Sequence, residues 1–234
     1  MREPLTIAVA QPPCASYDIV GNAKAHAEAV RSAGARVIVF PELSLTGYEL
    51  EAEAITADDP RLDPVVTACA ETEAWALVGA PVRGEGGEAH IAMLAVDGSG
   101  ATVAYRKMWL GETESTYFAP GGKPSVFEVD GWRLGLAICK DTGIPRHAAE
   151  TAALGIDAYV AGSVKSAGES ALQDERSCRI ATEHGVWVAV ASFAGSTGGG
   201  FAEAAGRSGI WRPDGVVFAQ AGPETGAVAR ATLT

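Results

Sequence analysis

The chain has 234 residues, enough for one large α/β layer structure with a sizeable core, and it is read as a single domain over residues 1–234. With 47% hydrophobic and 20% charged residues it has the composition of a folded globular protein, which argues against general disorder. A formal net charge of −11 and a pI near 4.8 speak against nucleic acid and anionic membrane surfaces as partners.

The first four residues lead straight into the apolar run 5–10 without the longer hydrophobic region of a secretory signal, and no stretch approaches the length of a membrane span. A cytoplasmic location is expected. The run 5–10 suits a strand buried on both faces, and Pro12-Pro13 breaks it. Asp18 is placed to cap a helix in which Val20, Ala23, Ala27 and Val30 recur at helical spacing, with Gly34 as its stop. Residues 36–40 form a second apolar strand, so the segment reads as a βαβ unit with a parallel pair.

An acidic stretch then gives way to a helix over 61–73 and a strand over 75–79. Residues 89–96 and 101–105 are expected to pair through Asp97-Gly98-Ser99-Gly100, and 125–129 with 132–138 through Asp130-Gly131. A helix over 145–154, stopped by Gly155, and a strand over 158–161 come next. A helix over 170–184 follows, with Ala171, Cys178 and Ala181 read as one face, and then a strand over 186–192. The glycine-rich run 195–200 reads as a surface loop; it lacks the strand–GxxxxGK[ST]–helix context of a phosphate loop. Strands over 208–211 and 216–219 and an extended piece over 227–233 complete the chain. Two βαβ-containing halves with hairpins leave sheets whose bare faces must be covered, and two such sheets stack as a four-layer αββα sandwich.

Cys139 lies where the apolar strand 132–138 ends and a short polar turn leads through Ile144 to a helix opening at Pro145. A thiol there projects outward, beside backbone N–H groups that can receive an oxyanion. A lone cysteine at a strand end is, by itself, ordinarily a packing residue. The other three cysteines, Cys14, Cys69 and Cys178, are dispersed, with no CxxC pair, and Cys14 and Cys69 read as structural. Glu42, in Phe40-Pro41-Glu42-Leu43, stands beyond the end of the second strand, where parallel sheets bind ligands. Partial desolvation there would raise its pKa towards that of a general base; a turn carboxylate is the plain alternative. Lys107 closes the strand 101–105 and puts a cation at a third strand end, where it can stabilise developing negative charge. The histidines His26, His90, His147 and His184 lack metal-ligand spacing, and no metal site is expected.

Taken together, these segments resemble the nitrilase superfamily of carbon–nitrogen hydrolases. Val39-Phe40-Pro41-Glu42-Leu43-Ser44-Leu45-Thr46-Gly47-Tyr48 looks like its glutamate motif. Tyr105-Arg106-Lys107-Met108-Trp109-Leu110 looks like its lysine motif, and Gly135-Leu136-Ala137-Ile138-Cys139-Lys140-Asp141 is similar to its cysteine motif. Weaker echoes are Phe118-Ala119-Pro120-Gly121, Asp174-Glu175-Arg176 and Gly206-Arg207-Ser208-Gly209-Ile210.

The resemblance implies an αββα subunit of the nitrilase type, assembled as a homodimer or larger homo-oligomer, with Glu42 as general base, Lys107 as stabiliser of the tetrahedral intermediate and Cys139 as nucleophile. Glu114, more than Glu112, matches a second glutamate that orients substrate or lysine. The implied activity is a thiol amidohydrolase acting on a small amide or N-carbamoyl compound with water, through a cysteine thioester and without metal or cofactor. Nitrile hydrolysis by the same residues and a catalytically silent binding or scaffold member are the alternatives.

Three readings bear on substrate positioning. Trp109 stands where the family commonly has His and offers an apolar surface for an acyl pocket or for core packing; Arg146 stands where it commonly has Glu. The backbone N–H of Lys140 is a candidate oxyanion donor. Arg146, Lys140 and Lys165 are sources of positive charge for an acidic substrate group, against the ordinary reading of solvated surface cations. Asp141 is expected to hold the turn by hydrogen bonds.

Overall fold

A computed structural model of the chain describes residues 2–234; Met1, part of the N-terminal reading, lies outside them. In chain order the elements are β1 (Leu5–Ala10), α1 (Ile19–Ala33), β2 (Val37–Val39), α2 (Asp63–Thr72), β3 (Trp75–Arg83), β4 (Ala89–Asp97), β5 (Gly100–Arg106), β6 (Val126–Val129) and β7 (Trp132–Ile138). Then come α3 (Pro145–Ala152), β8 (Ala158–Ser163), α4 (Ser170–His184), β9 (Trp187–Ser192), the short β10 (Ala194–Gly195) and β11 (Ala204–Ala205), β12 (Gly209–Trp211), β13 (Val217–Gln220) and β14 (Val228–Leu233). The first six-stranded sheet runs β14-β1-β2-β3-β4-β5 and the second runs β13-β12-β9-β8-β7-β6. Each has a parallel centre, β1-β2-β3 and β7-β8-β9, flanked by antiparallel strands.

Strand alternation sorts the apolar side chains into three cores. Leu5, Ile7 and Val9 of β1 and Val37 and Val39 of β2 face Leu134, Leu136 and Ile138 of β7 and Val160 of β8 between the sheets. Their alternates point outward. Ala8, Ala10 and Ile38 meet Ala23, Ala27 and Val30 of α1 and Val65 and Ala68 of α2. Ala137, Tyr159 and Ala161 meet Ala148 of α3 and Ile180 and Ala181 of α4. The two-residue period of the strands thus produces the four layers, αββα, as the sequence predicts.

Local signals act as expected at several ends. The Asp18 carboxylate accepts from Gly21 N at 2.9 Å, and Gly34 closes α1 at φ 56°. Asp130 and Gly131, at φ 49° and 78°, make the tight hairpin turn between β6 and β7.

Two expectations are corrected and a third is refined. β3 runs on through Pro81 to Arg83 because, past β2, its free edge bonds the loop residues Leu45 and Ile55. Proline is tolerated where the ladder does not use its N–H. On α4, Ala171 and Cys178 are exposed, and the buried face is Gln173, Ser177, Ile180 and Ala181. Polar residues hide that face from a hydrophobicity pattern, and Gln173 Nε2 is satisfied there by Arg207 O at 3.0 Å. The run 195–200 is a partly exposed loop, as read, but it is pinned rather than free. It belongs to the β10–β11 hairpin, Thr197 Oγ1 accepts from Tyr48 N at 3.0 Å, and Phe201 packs edge-on against the Tyr48 ring at 5.3 Å. No helix among the described residues is long and apolar enough to cross a membrane.

Candidate active site

Glu42 sits in the loop that leaves β2. That loop is wedged between the two sheets: a Cβ on Gly79 of β3 would come within 2.2 Å of Pro41 O, and one on Gly162 of β8 within 2.7 Å of Phe40 O. Only glycine lets both strands approach so closely. From the helix layer, the buried His26 bonds Ser44 Oγ at 2.8 Å and steadies the far side of the same loop.

Lys107 follows β5, and its backbone is held by Ile91 O and Gly121 N at 2.8 and 2.7 Å. Its ammonium donates to Glu42 Oε1 at 2.6 Å and to both oxygens of Glu114 at 2.7 Å. Glu42 and Lys107 are each only 1% exposed, and Glu114 is buried with them. Glu114 is further held by Gly111 N at 2.6 Å and by the Tyr48 hydroxyl. The three charges therefore sit out of water, where their energetics turn on mutual pairing.

Burial is the largest influence on all three. It drives Glu42 up, and with the repulsion of Glu114 it outweighs the attraction of Lys107, so the carboxyl titrates at about 7 rather than 4.5. Burial alone would pull Lys107 down, but Glu42, the Cys139 side chain and Glu114 together hold it above its ordinary value. Glu114 would be raised by burial, yet Lys107, Tyr48 and Gly111 N hold it below the usual carboxylate range. Glu42 Oε2 is buried with no hydrogen-bond partner among the protein atoms. One oxygen of this carboxylate is fixed and the other is unclaimed.

Cys139 opens a one-turn 3₁₀ segment, Cys139–Gly143, at the end of β7 and takes φ 42°. The left-handed region costs an ordinary residue about 1–2 kcal/mol, so the surroundings must impose it. Asp141 does so. Its carboxylate accepts from Ile138 N and Trp109 N at 2.9 Å and from the Tyr105 hydroxyl at 2.8 Å, fastening the thiol's turn to the segment that carries Lys107. Tyr105 continues inward to His147 Nε2 at 2.9 Å, and His147 Nδ1 to the Tyr159 hydroxyl at 2.9 Å. The sulfur lies 3.4 Å from Val164 O and receives Lys165 Nζ at 3.2 Å.

Glu42, Lys107 and Cys139 thus come from three strand ends and Glu114 from the β5–β6 connection; the first two and Glu114 touch, and the Cys139 side chain lies near enough to act on Lys107. Other residues of the sequence reading lie further out. The Lys140 ammonium is exposed and donates to Leu110 O at 2.6 Å, and Trp109 lines an apolar groove of about 580 Å³ with Met108, Leu110, Phe118 and Ile144. Arg146 is exposed and pairs with Glu150 at 2.7 Å along α3, so it is the solvated surface cation of the ordinary reading. Sequence reasoning did not single out Tyr48, although it ends the glutamate motif, nor the spacing glycines Gly79 and Gly162, whose signal is only an isolated glycine inside a strand.

The model of the carbon–nitrogen hydrolase family matches residues 6–234. The chain belongs to this family. Among curated relatives, the "Hydrolase in pqqF 5'region" of Pseudomonas protegens is 28% identical over 227 residues, which covers 93% of this chain and 79% of that protein. A hydrolase of Mycobacterium tuberculosis is 32% identical over 152 residues, covering 61% of this chain and 53% of its own. Among solved structures, Nit3 of Saccharomyces cerevisiae, a member of branch 10 of the nitrilase superfamily, superposes with TM-score 0.87 at 20% identity, covering 99% of this chain and 90% of that one. The amidase of the nitrilase superfamily from Nesterenkonia AN1 superposes with TM-score 0.86 at 22% identity, over 98% and 90%. At these identities the likeness is one of fold, and it establishes the nitrilase-type αββα sandwich.

Proposed function

We propose that this carbon–nitrogen hydrolase is a thiol amidohydrolase that cleaves the C–N bond of a small amide or N-carbamoyl compound. The observation that carries the reading is the Glu42 carboxylate, with Oε1 held by Lys107, Oε2 unclaimed, and a pKa pushed to about 7. A buried base poised near neutral pH suits two proton transfers in succession.

In this reading Cys139 Sγ attacks the amide carbonyl as Glu42 takes the thiol proton. The C–N bond then breaks, and Glu42 gives that proton to the departing ammonia or amine, leaving a thioester on Cys139. Water, deprotonated by Glu42, attacks the thioester; the acid leaves and the thiol regains its proton. Lys107 opposes the oxyanion charge in both steps, with the backbone N–H of Lys140 as second donor. Glu114, fixed by Tyr48, Gly111 N and Lys107, keeps the ammonium in place. Trp109 is the proposed apolar wall of the acyl pocket. The resemblance to the family adds assembly as a homo-oligomer, which sedimentation velocity checks, and the reading places the enzyme in the cytoplasm.

A panel of small amides, carbamoyl compounds and nitriles tests the reading. Acid and ammonia should appear from at least one amide or carbamoyl compound, nitriles should be untouched, and Cys139→Ala should reduce turnover at least 10³-fold. Turnover confined to nitriles, or retained by Cys139→Ala, contradicts it.

A further inference from the structure

Each helix layer sends one fully buried histidine towards the site. His26, on α1, sits against the Glu42 loop; its Nδ1 faces Asn22 O at 2.6 Å, a carbonyl that can only accept, so this imidazole carries its proton on Nδ1 and takes the Ser44 hydroxyl on Nε2. His147, on α3, is the other. The proposed chemistry makes no use of it.

The protons around His147 admit one arrangement. The Asp141 carboxylate accepts from Ile138 N, Trp109 N and the Tyr105 hydroxyl. That hydroxyl has a single proton and donates it to Asp141, so its oxygen, 2.9 Å from His147 Nε2, can only accept there. Nε2 therefore carries the imidazole proton. Burial holds His147 below its ordinary pKa, against the pull of Asp141 and Glu150, so the ring is uncharged at physiological pH and Nδ1 accepts from the Tyr159 hydroxyl at 2.9 Å. Every donor in the row Tyr159–His147–Tyr105–Asp141 points the same way, and bonds in such a row polarise and strengthen one another.

The plain alternative is a core histidine that cements α3 to the strands beneath it, with its ring edge-on to Tyr105 and Tyr159 at 5.9 Å. What sets this row apart is its end point. The two other bonds of Asp141 hold Ile138, the last residue of β7 before the thiol, and Trp109, two residues beyond Lys107. Cys139 follows at φ 42°, a conformation that persists only while its surroundings impose it. We infer that His147 is a positioning residue for the nucleophile: its Nε2–H aims the Tyr105 hydroxyl at Asp141, and Asp141 sets the turn that presents Cys139. The kinetic consequence rests on the amidohydrolase reading; the direction of the row does not.

Nitrogen-15 NMR of the imidazoles reads the row without any substrate. His147 should report the Nε2–H tautomer, its signals being those absent from His147→Gln, while His26 reports Nδ1–H in the same spectrum. In His147→Met, which has neither the donor nor the acceptor, amide hydrogen exchange at Ile138 and Trp109 should quicken about fivefold or more, with α1 unchanged. With an amide that is turned over, kcat should fall about tenfold or more and KM stay within about threefold. His147→Gln keeps one donor and one acceptor and should recover most of both losses. If His147→Met does not fold, Tyr105→Phe, which lacks one oxygen, carries the same comparison. A histidine that only packs would lower stability and leave kcat and these two amides as they are. An Nδ1–H tautomer at His147, or parent-like kcat and parent-like exchange at Ile138 and Trp109 in the variants, overturns the inference. The Nε2–H tautomer with quickened exchange, but no turnover of any amide, would keep the row and its hold on the turn and remove the amidohydrolase reading instead.

Discussion

At the scale of single residues, the two oxygens of Glu42 have separate fates, and this has consequences that titration can read. With the base form populated only above about 7, kcat/KM should climb tenfold per pH unit on the acid side and bend near that value. In Glu42→Gln the limb should disappear along with at least 10³-fold of the rate. Stability follows with the opposite sign. The unfolded carboxyl titrates near 4.5 and the folded one near 7, so between these values the native state binds the extra proton. This group's contribution is fully present below 4.5 and is lost as pH rises through 7. Urea midpoints across pH 5–8 should therefore decline less in Glu42→Gln than in the parent.

At the scale of elements, the site depends on how close β3 and β8 come to the Glu42 loop. Gly162→Ala would set a Cβ against Phe40 O and Glu42 N, at 2.7 and 3.0 Å, and the loop must shift to admit it. We expect a loss of about 1–3 kcal/mol in unfolding free energy, comparable to other overpacked interiors, and a fall in kcat at least tenfold. Thermal melts with parallel kinetics check both. This contact joins residues 40 and 162, so it is invisible to any local pattern. The strand ends bearing Glu42, Lys107 and Cys139 were legible because apolar runs and turn residues are local. So was the hairpin at Asp130-Gly131. The true inner face of α4 was not, because Gln173 and Ser177 are buried by virtue of partners elsewhere in the chain. The β10–β11 hairpin was likewise hidden, since its two-residue strands are too short to show a pattern and its loop is held by Thr197 and Phe201 against the distant Tyr48.

At the scale of the whole molecule, two helix pairs cover two sheets, and the sheets press face to face. The parallel centres of both sheets end on the same side, where Glu42 leaves β2 and Cys139 leaves β7. Two βαβ-containing halves with hairpins, whose bare sheet faces must be buried, were sufficient to anticipate these layers. What they did not supply was charge accounting. Among Lys107, Lys140, Arg146 and Lys165 the sequence cannot say which cations are buried or which are paired with a carboxylate. That distinction arises only when Glu42 and Glu114 converge on Lys107 from separate segments and leave Lys165 beside the sulfur.

The proposed mechanism passes through a covalent acyl–enzyme at Cys139. Intact-protein mass spectrometry of acid-quenched turnover mixtures, with an amide that the panel identifies as a substrate, observes it directly. We predict a mass increase equal to the acyl group, mapped to the Cys139 peptide and released by hydroxylamine. Steady turnover with no adduct on Cys139 at any quench time, and undiminished activity in Cys139→Ala, would contradict it.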